Sequence, residues 1–175
     1  GDGLVHFHRA KFQPKGGPDG GDGGKGGSLY IIADANLSTL DDFAHRQKFE
    51  AGDGQVGGSR LCSGSKGEDL TVKVPVGTYV KLKPLASKVD EKGTDRWEVR
   101  MLDFDKEGMI INVARGGKGG KGNYHFRSAT NQTPQEFTPG ELSVWYEAEL
   151  DLKLLADVGL VGLPNVGKST LLSVL

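Results

Sequence analysis

The sequence is poor in cysteine, in long apolar runs and in net charge. Cys62 is the single cysteine among 175 residues, which excludes an internal disulfide framework and favours a reducing, cytoplasmic location. No stretch approaches the roughly 18 consecutive apolar residues of a membrane-spanning helix, so we expect no membrane partner. The formal net charge is −1, so attraction to nucleic acid would have to come from a local patch.

Helical periodicity is scarce before residue 150. The one candidate helix covers residues 37–46, with Ser38 as its N-cap. Short β-branched runs predict strands instead, and the clearest alternation of apolar and charged residues runs from Val144 to Leu154. The other predicted strands cover residues 28–33, 70–74, 97–104 and 109–114. We therefore expect a mainly β fold.

Glycine is abundant, with 28 residues, and it is clustered. Residues 16–27 read GGPDGGDGGKGG, and a three-residue repeat that starts at Gly20 returns at Gly116 as GGKGGKG. Polyproline II has about three residues per turn, so paired glycines leave two sides of such a segment bare for close backbone packing. The period disfavours a flexible linker, and the interruptions disfavour collagen. We therefore interpret these clusters as packed polyproline II segments.

Residues 162–169, GLPNVGKS, match the phosphate-loop pattern G-x-x-x-x-G-K-[ST]. Backbone N–H groups of such a loop wrap the β-phosphate, Lys168 would reach the β- and γ-phosphates, and the Ser169 hydroxyl would bind Mg²⁺. The predicted nucleotide-binding residues are Gly162, Leu163, Pro164, Asn165, Val166, Gly167, Lys168, Ser169 and Thr170. The fixed positions of this loop do not distinguish GTP from ATP.

The phosphate loop marks a second domain. It lies between an apolar run typical of a buried strand, 156–163, and a helix start at 169–175. We predict a first domain over residues 1–155 and the start of a nucleotide-binding domain over 156–175. We expect the chain to be part of a longer protein.

Acidic residues are missing from 108–135, where basic and aromatic side chains alternate with glycine. This composition suits phosphate contact and base stacking, although a solvated basic face is the alternative. The candidate RNA contacts are Lys15, Lys25, Arg115, Lys118, Lys121 and Arg127. His6 and His8 have no third ligand nearby in the sequence, so we do not expect them to bind a metal.

Three segments resemble the Obg (CgtA) family of GTPases. They are FHRAKFQPKGGPDGGDGGKGG (7–27), ARGGKGGKGNYHF (114–126) and LKLLADVGLVGLPNVGKSTLLSVL (152–175). The resemblance implies an Obg domain, which is a glycine-rich bundle of six polyproline II segments on a β-barrel-like base. It also implies that the first strand of that domain is missing here, and that an α/β phosphate-loop GTPase domain begins near residue 156.

The same resemblance implies a function. Family members bind GTP and Mg²⁺, hydrolyse GTP slowly and assist assembly of the large ribosomal subunit, with ribosomal RNA as partner. The loops implied to face RNA are 14–25, 52–67 and 123–138, and the protein is expected to be a monomer. Asn165 suggests K⁺ as an additional ion. The chain lacks the remaining GTPase motifs, so no catalytic residue is assigned and these 175 residues alone are expected to be inactive.

Two alternatives stay open. One is a different phosphate-loop NTPase, which a downstream NKxD-type guanine motif would exclude. The other is a glycine-rich RNA-binding or ribosome-binding module in which nucleotide binding is incidental. Ribosome binding that does not depend on the nucleotide would favour the second alternative.

Overall fold

A computed structural model describes residues 1–9, 16–85 and 99–153, and its secondary structure is mainly β, as predicted. The strands are β1 (Leu29–Asp34), β2 (Leu70–Pro75), β3 (Thr78–Pro84), β4 (Arg100–Phe104), β5 (Ile110–Ala114) and β6 (Tyr146–Leu152). The helices are α1 (Asp41–His45) and a 3-10 turn, η1 (Asn123–Phe126). The phosphate loop and Lys15 lie outside the described residues.

The strands form two three-stranded sheets. In one sheet, β1 lies between a parallel β2 and an antiparallel β5, and in the other β3 pairs antiparallel with β4 and β6. Alternate residues of these strands face a shared core of Ile31, Ala33, Val72, Val74, Val80, Leu82, Phe104 and Val113. The described strands do not close into a barrel. The Arg100 guanidinium bridges the two sheets by donating to the Val113 carbonyl at 3.3 Å.

Two sequence expectations need correction. The helix covers only Asp41–His45, and Leu40 rather than Ser38 occupies the N-cap, without a side-chain cap. The nearby Thr39 hydroxyl donates to the Asp41 carboxylate at 2.9 Å and does not cap a backbone N–H either. Strand β3 is absent from the predicted elements, although Thr78, Val80 and Leu82 alternate inward between exposed lysines.

Six extended segments form a bundle beside the sheets. They cover residues 1–4, 20–27, 52–58, 62–68, 116–122 and 138–141, and backbone hydrogen bonds join them. Segment 20–27 lies in the middle, because segments 1–4, 52–58, 62–68 and 116–122 all bond to it. Buried Ser28 joins bundle to base, since its N–H donates to Asp69 at 2.7 Å and β1 follows directly.

The hydrogen bonds of segment 20–27 repeat every three residues. One set of N–H groups faces segment 52–58, a second set faces 116–122, and two carbonyls accept from 62–68. The donor–acceptor pairs are Gly21–Gly58, Gly24–Gln55, Gly27–Gly52, Gly23–Gly120, Gly26–Gly117, Gly64–Asp22 and Gly67–Lys25, at 2.7–3.0 Å. A period of three is that of polyproline II, and Gly122 has matching angles, φ −72° and ψ 167°. The glycine clusters are therefore packed, as interpreted from the sequence.

The bundle requires glycine for steric reasons. A Cβ added to Gly24 would overlap the Ser65 carbonyl oxygen, and one added to Gly119 would overlap that of Gly23. Gly26 is different, because the nearest atom to its added Cβ is the Gly117 nitrogen, 3.5 Å away. The bundle therefore contains glycines that differ sharply in their tolerance of a methyl group.

We expect Gly24→Ala to lower the free energy of unfolding by about 1–3 kcal/mol or more, because backbone must move to admit the methyl group. Gly26→Ala is the matched control, and it should be neutral or stabilising by about 0.4–1 kcal/mol, because alanine restricts the unfolded chain. Urea unfolding followed by circular dichroism measures both. Equal midpoints for the two variants would contradict the steric argument.

Candidate nucleic-acid interface

The three loops implied to face RNA meet at the end of the bundle away from the sheets. We call this end the tip, formed by residues 16–20, 58–62 and 123–135. The Leu61 N–H donates to the Asp19 carbonyl at 2.8 Å, and the Gly20 N–H donates to the Asn123 side chain at 3.0 Å. The fold therefore brings together chain segments that are up to about a hundred residues apart in sequence.

Asn123 holds the tip together from inside. Its side chain is fully buried, and its Oδ1 accepts the Gly20 N–H at 3.0 Å. Its Nδ2 donates to the carbonyls of His6, at 3.0 Å, and Pro134, at 3.1 Å. One amide thus satisfies backbone groups from three separate segments, which water could not reach.

Arg60 and Leu61 form a strained turn at the tip. Their φ angles are +56° and +60°, and the Cys62 N–H donates to the Ser59 carbonyl at 3.2 Å across the turn. Turns with two positive φ values favour Asn and Gly, and other residues cost roughly 1–2 kcal/mol each. Leu61 is nonetheless 50% exposed, so burial of its side chain does not offset the strain of its backbone. Such strain is typical of contact sites.

Asp19 supports this turn. Its side chain is largely buried, and His6 Nδ1 lies 2.5 Å from Oδ1, while His8 Nδ1 lies 3.7 Å from Oδ2. Burial disfavours the carboxylate, but the hydrogen bond and charge of His6, the Arg60 N–H and the charge of His8 outweigh it. The pKa of Asp19 is therefore lowered. Oδ2 is buried without a hydrogen-bond partner, so the cost of removing this oxygen from water is only partly offset.

Asp22 orients the aromatic part of the tip. Its carboxylate accepts the Gly122 N–H at 2.8 Å and lies 2.9 Å from His125 Nε2. The His125 ring meets Tyr124 edge-on, with centroids 6.1 Å apart and an interplanar angle of 80°. Tyr124 itself is 44% exposed. Beside it lies an open cavity of about 610 Å³, lined by Tyr124, His125, Arg127, Ser128, Ala129 and Gln132.

The basic candidates lie on the surface of the bundle. Lys25, Arg115, Lys118, Lys121 and Arg127 are all exposed. Lys25 and Lys118 lie on adjoining segments. Gly26 follows Lys25, Gly117 precedes Lys118, and the Gly26 N–H donates to the Gly117 carbonyl at 3.0 Å. Lys15 cannot be placed, because it lies outside the described residues.

A larger cavity, of about 1050 Å³, lies between the sheets, α1 and segments of the bundle. Its lining includes core residues such as Ile31, Leu82 and Val113, together with Phe43 and Phe49. Its lining also contains charged side chains of both signs, among them Lys48, Glu50 and Arg115. Of the basic candidates, Arg127 lines the cavity at the tip and Arg115 lines this larger one.

Two other kinds of site find no support in the described parts of the chain. No three His, Cys, Asp or Glu side chains there are placed to hold a metal ion. No helix among those residues is long and apolar enough to cross a membrane.

Asn123, Asp22 and Asp19 are the organising residues that sequence reasoning missed. Asn123 had a signal, because it stands where the GGK repeat would place glycine. Asp22 contacts Gly122 and His125 through its carboxylate, and both partners are about a hundred residues away in the sequence. Asp19 had no local signal, since its partners His6 and Arg60 are distant in sequence.

A family model and individual relatives identify the same group of proteins as similar to this chain. A family model described as GTP1/OBG matches residues 1–154. A GTPase Obg of Clostridium novyi is 52% identical over 173 residues, and one of Acetivibrio thermocellus is 51% identical over 174; each alignment covers 99% of this chain and 38% of the relative. A GTPase Obg of Chlorobaculum parvum is 48% identical over 174 residues, covering 99% of this chain and 48% of that protein. The chain thus spans less than half the length of these relatives.

We expect Asn123→Asp to destabilise the tip. The carboxylate cannot donate to the His6 and Pro134 carbonyls, and an unpaired buried group costs about 1–3 kcal/mol. Hydrogen exchange should show faster exchange of the Gly20 and Leu61 amides, while the amides of β1 stay protected. Asn36→Asp, on an exposed turn, is the matched control. Unchanged tip protection in Asn123→Asp would refute the role of this amide.

Asp19 should make the tip sensitive to acid. Because its pKa is lowered in the fold, the carboxylate contributes stability above its ordinary value of 3.8, and this contribution is lost as pH falls below that value. The difference in unfolding free energy between the native chain and Asp19→Asn should therefore hold above pH 3.8 and shrink as pH falls below that value. Asp105→Asn, on an exposed turn, is the control. A difference that is independent of pH would overturn this expectation.

Proposed function

Because the chain belongs to the GTP1/OBG family, we propose that it is the N-terminal part of a GTPase that assists assembly of the large ribosomal subunit. Residues 1–155 would bind ribosomal RNA, and residues from 156 onward would begin the domain that binds GTP and GDP. The observation that carries this proposal is the tip, where three distant loops converge on a rigid glycine-packed bundle beside basic and aromatic side chains.

The nucleotide site rests on sequence, because residues 162–170 lie outside the described residues. Lys168 would neutralise phosphate charge, and the backbone N–H groups of 162–169 would cradle the phosphates. The donor set fits Mg²⁺, since the Ser169 hydroxyl is the hard oxygen ligand that this ion prefers. An Mg²⁺ ion held by Ser169 would supply positive charge next to the phosphates. A K⁺ ion near Asn165 would supply further positive charge.

RNA binding is supported by charge and rigidity together. Residues 108–135 contain no acid, so the exposed Arg115, Lys118, Lys121 and Arg127 are not neutralised by acids of their own segment. Phosphate contacts by such side chains supply affinity, whereas exposed rings such as Tyr124 stack on unpaired bases. A bundle joined by short backbone bonds holds these groups in place before binding, which reduces the entropy lost on association.

Coupling between nucleotide and RNA would use strand β6. Every residue of Tyr146–Leu152 pairs with β3, so β6 is firmly part of the base. The Lys153 Nζ donates to Asp103 at 2.5 Å, and its N–H donates to the Gly77 carbonyl at 3.1 Å. Only a few residues separate this anchored point from the start of the nucleotide-binding segment at 156, so rotation of one domain would be transmitted to the other.

The test is co-sedimentation of the protein with large ribosomal subunits in GTP, in GDP and without nucleotide. We expect association to differ between these states, and Lys168→Ala to abolish nucleotide binding together with that difference. Lys106→Ala, on the base, is the control. Equal association in all three states would instead favour a ribosome-binding module in which nucleotide is incidental.

A further inference from the structure

Five exposed side chains recur at every third residue along one edge of the bundle. They are Arg115, Lys118, Lys121, Tyr124 and Arg127, which we call the 115–127 stripe. The extended segment up to Gly122 has about three residues per turn, and the 3-10 turn that follows, Asn123–Phe126, has the same number. The three-residue spacing of the exposed side chains therefore continues from the left-handed extended segment into the right-handed 3-10 turn of the tip.

Packing determines the direction in which the stripe faces. Between the stripe residues, the Cα atoms of Gly116 and Gly119 lie against the carbonyls of Gly26 and Gly23 of the central segment. Gly117 and Gly120 lie against the carbonyls of Glu141 and Thr138 on the other side. Both bare sides of segment 116–122 are thus occupied by neighbouring backbone, and the third side, which bears the side chains, faces solvent.

The stripe is positively charged, and its first three members lie on one extended segment. With a rise of about 3.1 Å per residue, successive cations from Arg115 to Lys121 lie about 9 Å apart along the segment. The acids packed against this edge are Glu141, whose carboxylate accepts the Lys118 N–H at 3.3 Å, and Asp22, which is engaged by Gly122 and His125. At the tip end, Tyr124 lies at the cavity of about 610 Å³ described above.

We propose that the 115–127 stripe binds one unpaired RNA strand lengthwise, with phosphates at Arg115, Lys118 and Lys121 and one base stacked on Tyr124 beside the cavity. This inference rests on the proposed function in taking RNA as the partner, and it adds the strandedness, direction and length of the site. An unpaired strand is favoured over a duplex, because the faces of bases inside a duplex are already stacked and cannot cover an exposed ring.

The stripe separates two kinds of contact that respond differently to salt. Phosphate contacts release counterions. For a single strand, removal of one such contact therefore reduces the magnitude of the slope of log affinity against log salt by about 0.7. Base stacking contributes about 1–3 kcal/mol by alanine substitution, equivalent to about 5- to 150-fold in affinity, and it releases no counterion. Variants of the lysines should therefore change both the affinity and its salt dependence, whereas a variant of Tyr124 should change the affinity alone.

The experiment measures fluorescence anisotropy of a labelled 12-nucleotide single-stranded RNA of mixed sequence, and of the same sequence as a duplex, across a salt series. We expect the protein to bind the single strand at least tenfold more tightly. Lys118→Glu with Lys121→Glu should weaken binding at least tenfold and reduce the salt slope by about 1.4. Tyr124→Ala should weaken binding at least fivefold without changing the slope. The charge-matched control is Lys81→Glu with Lys106→Glu on the base, which should bind as the unaltered protein does.

Several results would overturn the proposal. Binding that the stripe variants leave unchanged, or that the control pair reduces equally, would show that the stripe is not the site. A duplex that binds as tightly as the single strand, with no effect of Tyr124→Ala, would assign the surface to duplex RNA. Either result, obtained while ribosome association still depends on nucleotide, would leave the proposed function standing. Single-strand binding by the stripe without nucleotide-dependent ribosome association would support the stripe and refute that function.

Discussion

The contact between a glycine Cα and the carbonyl oxygen of a neighbouring segment is the constraint on which this structure depends. Across the bundle, an added Cβ would overlap such an oxygen at glycines of both sequence clusters, among them Gly24 and Gly119. Segments that approach this closely can exchange short backbone hydrogen bonds without forming a sheet. Glycine loses more entropy on ordering than any other residue, so this cost has to be offset by the hydrogen bonds and close contacts of all six segments together.

This packing explains how strained and charged groups persist at the tip. The positive φ angles of Arg60 and Leu61 and the buried carboxylate of Asp19 are each unfavourable in isolation. The Asp19 carbonyl accepts the Leu61 N–H of the turn, and the Asn123 side chain bonds to the backbone of three segments. These hydrogen bonds hold the unfavourable groups in place. A flexible glycine linker could not store this strain. The rigidity of the bundle thus allows an irregular surface to be presented at its end.

Much of the fold could be predicted locally. Strands β1, β2 and β5 follow short β-branched runs, and β6 follows an alternating pattern, because side-chain periodicity is a property of neighbouring residues. The helix was overestimated because Ser38 has the residue type of a cap, whereas its use as a cap depends on where the chain turns. Strand β3 is missing from the predicted strands although Val80 and Leu82 alternate with Lys81 and Lys83, and in the fold Thr78, Val80 and Leu82 face the core.

The sequence by itself determined the family and the three-residue period of the glycine clusters, because each is a pattern of residues adjacent in the chain, and it predicts a phosphate loop at 162–169. The basic residues of 115–127 were also visible in the sequence, together with the absence of acids around them. Only the tertiary structure decided which side of each segment faces a neighbour, and hence that these residues form one exposed line. It alone decided that Asp19 meets His6 and that Asn123 meets Gly20, about a hundred residues away. The physical reason is that backbone hydrogen bonds between distant segments set these contacts, and the glycine period does not specify which segments pair.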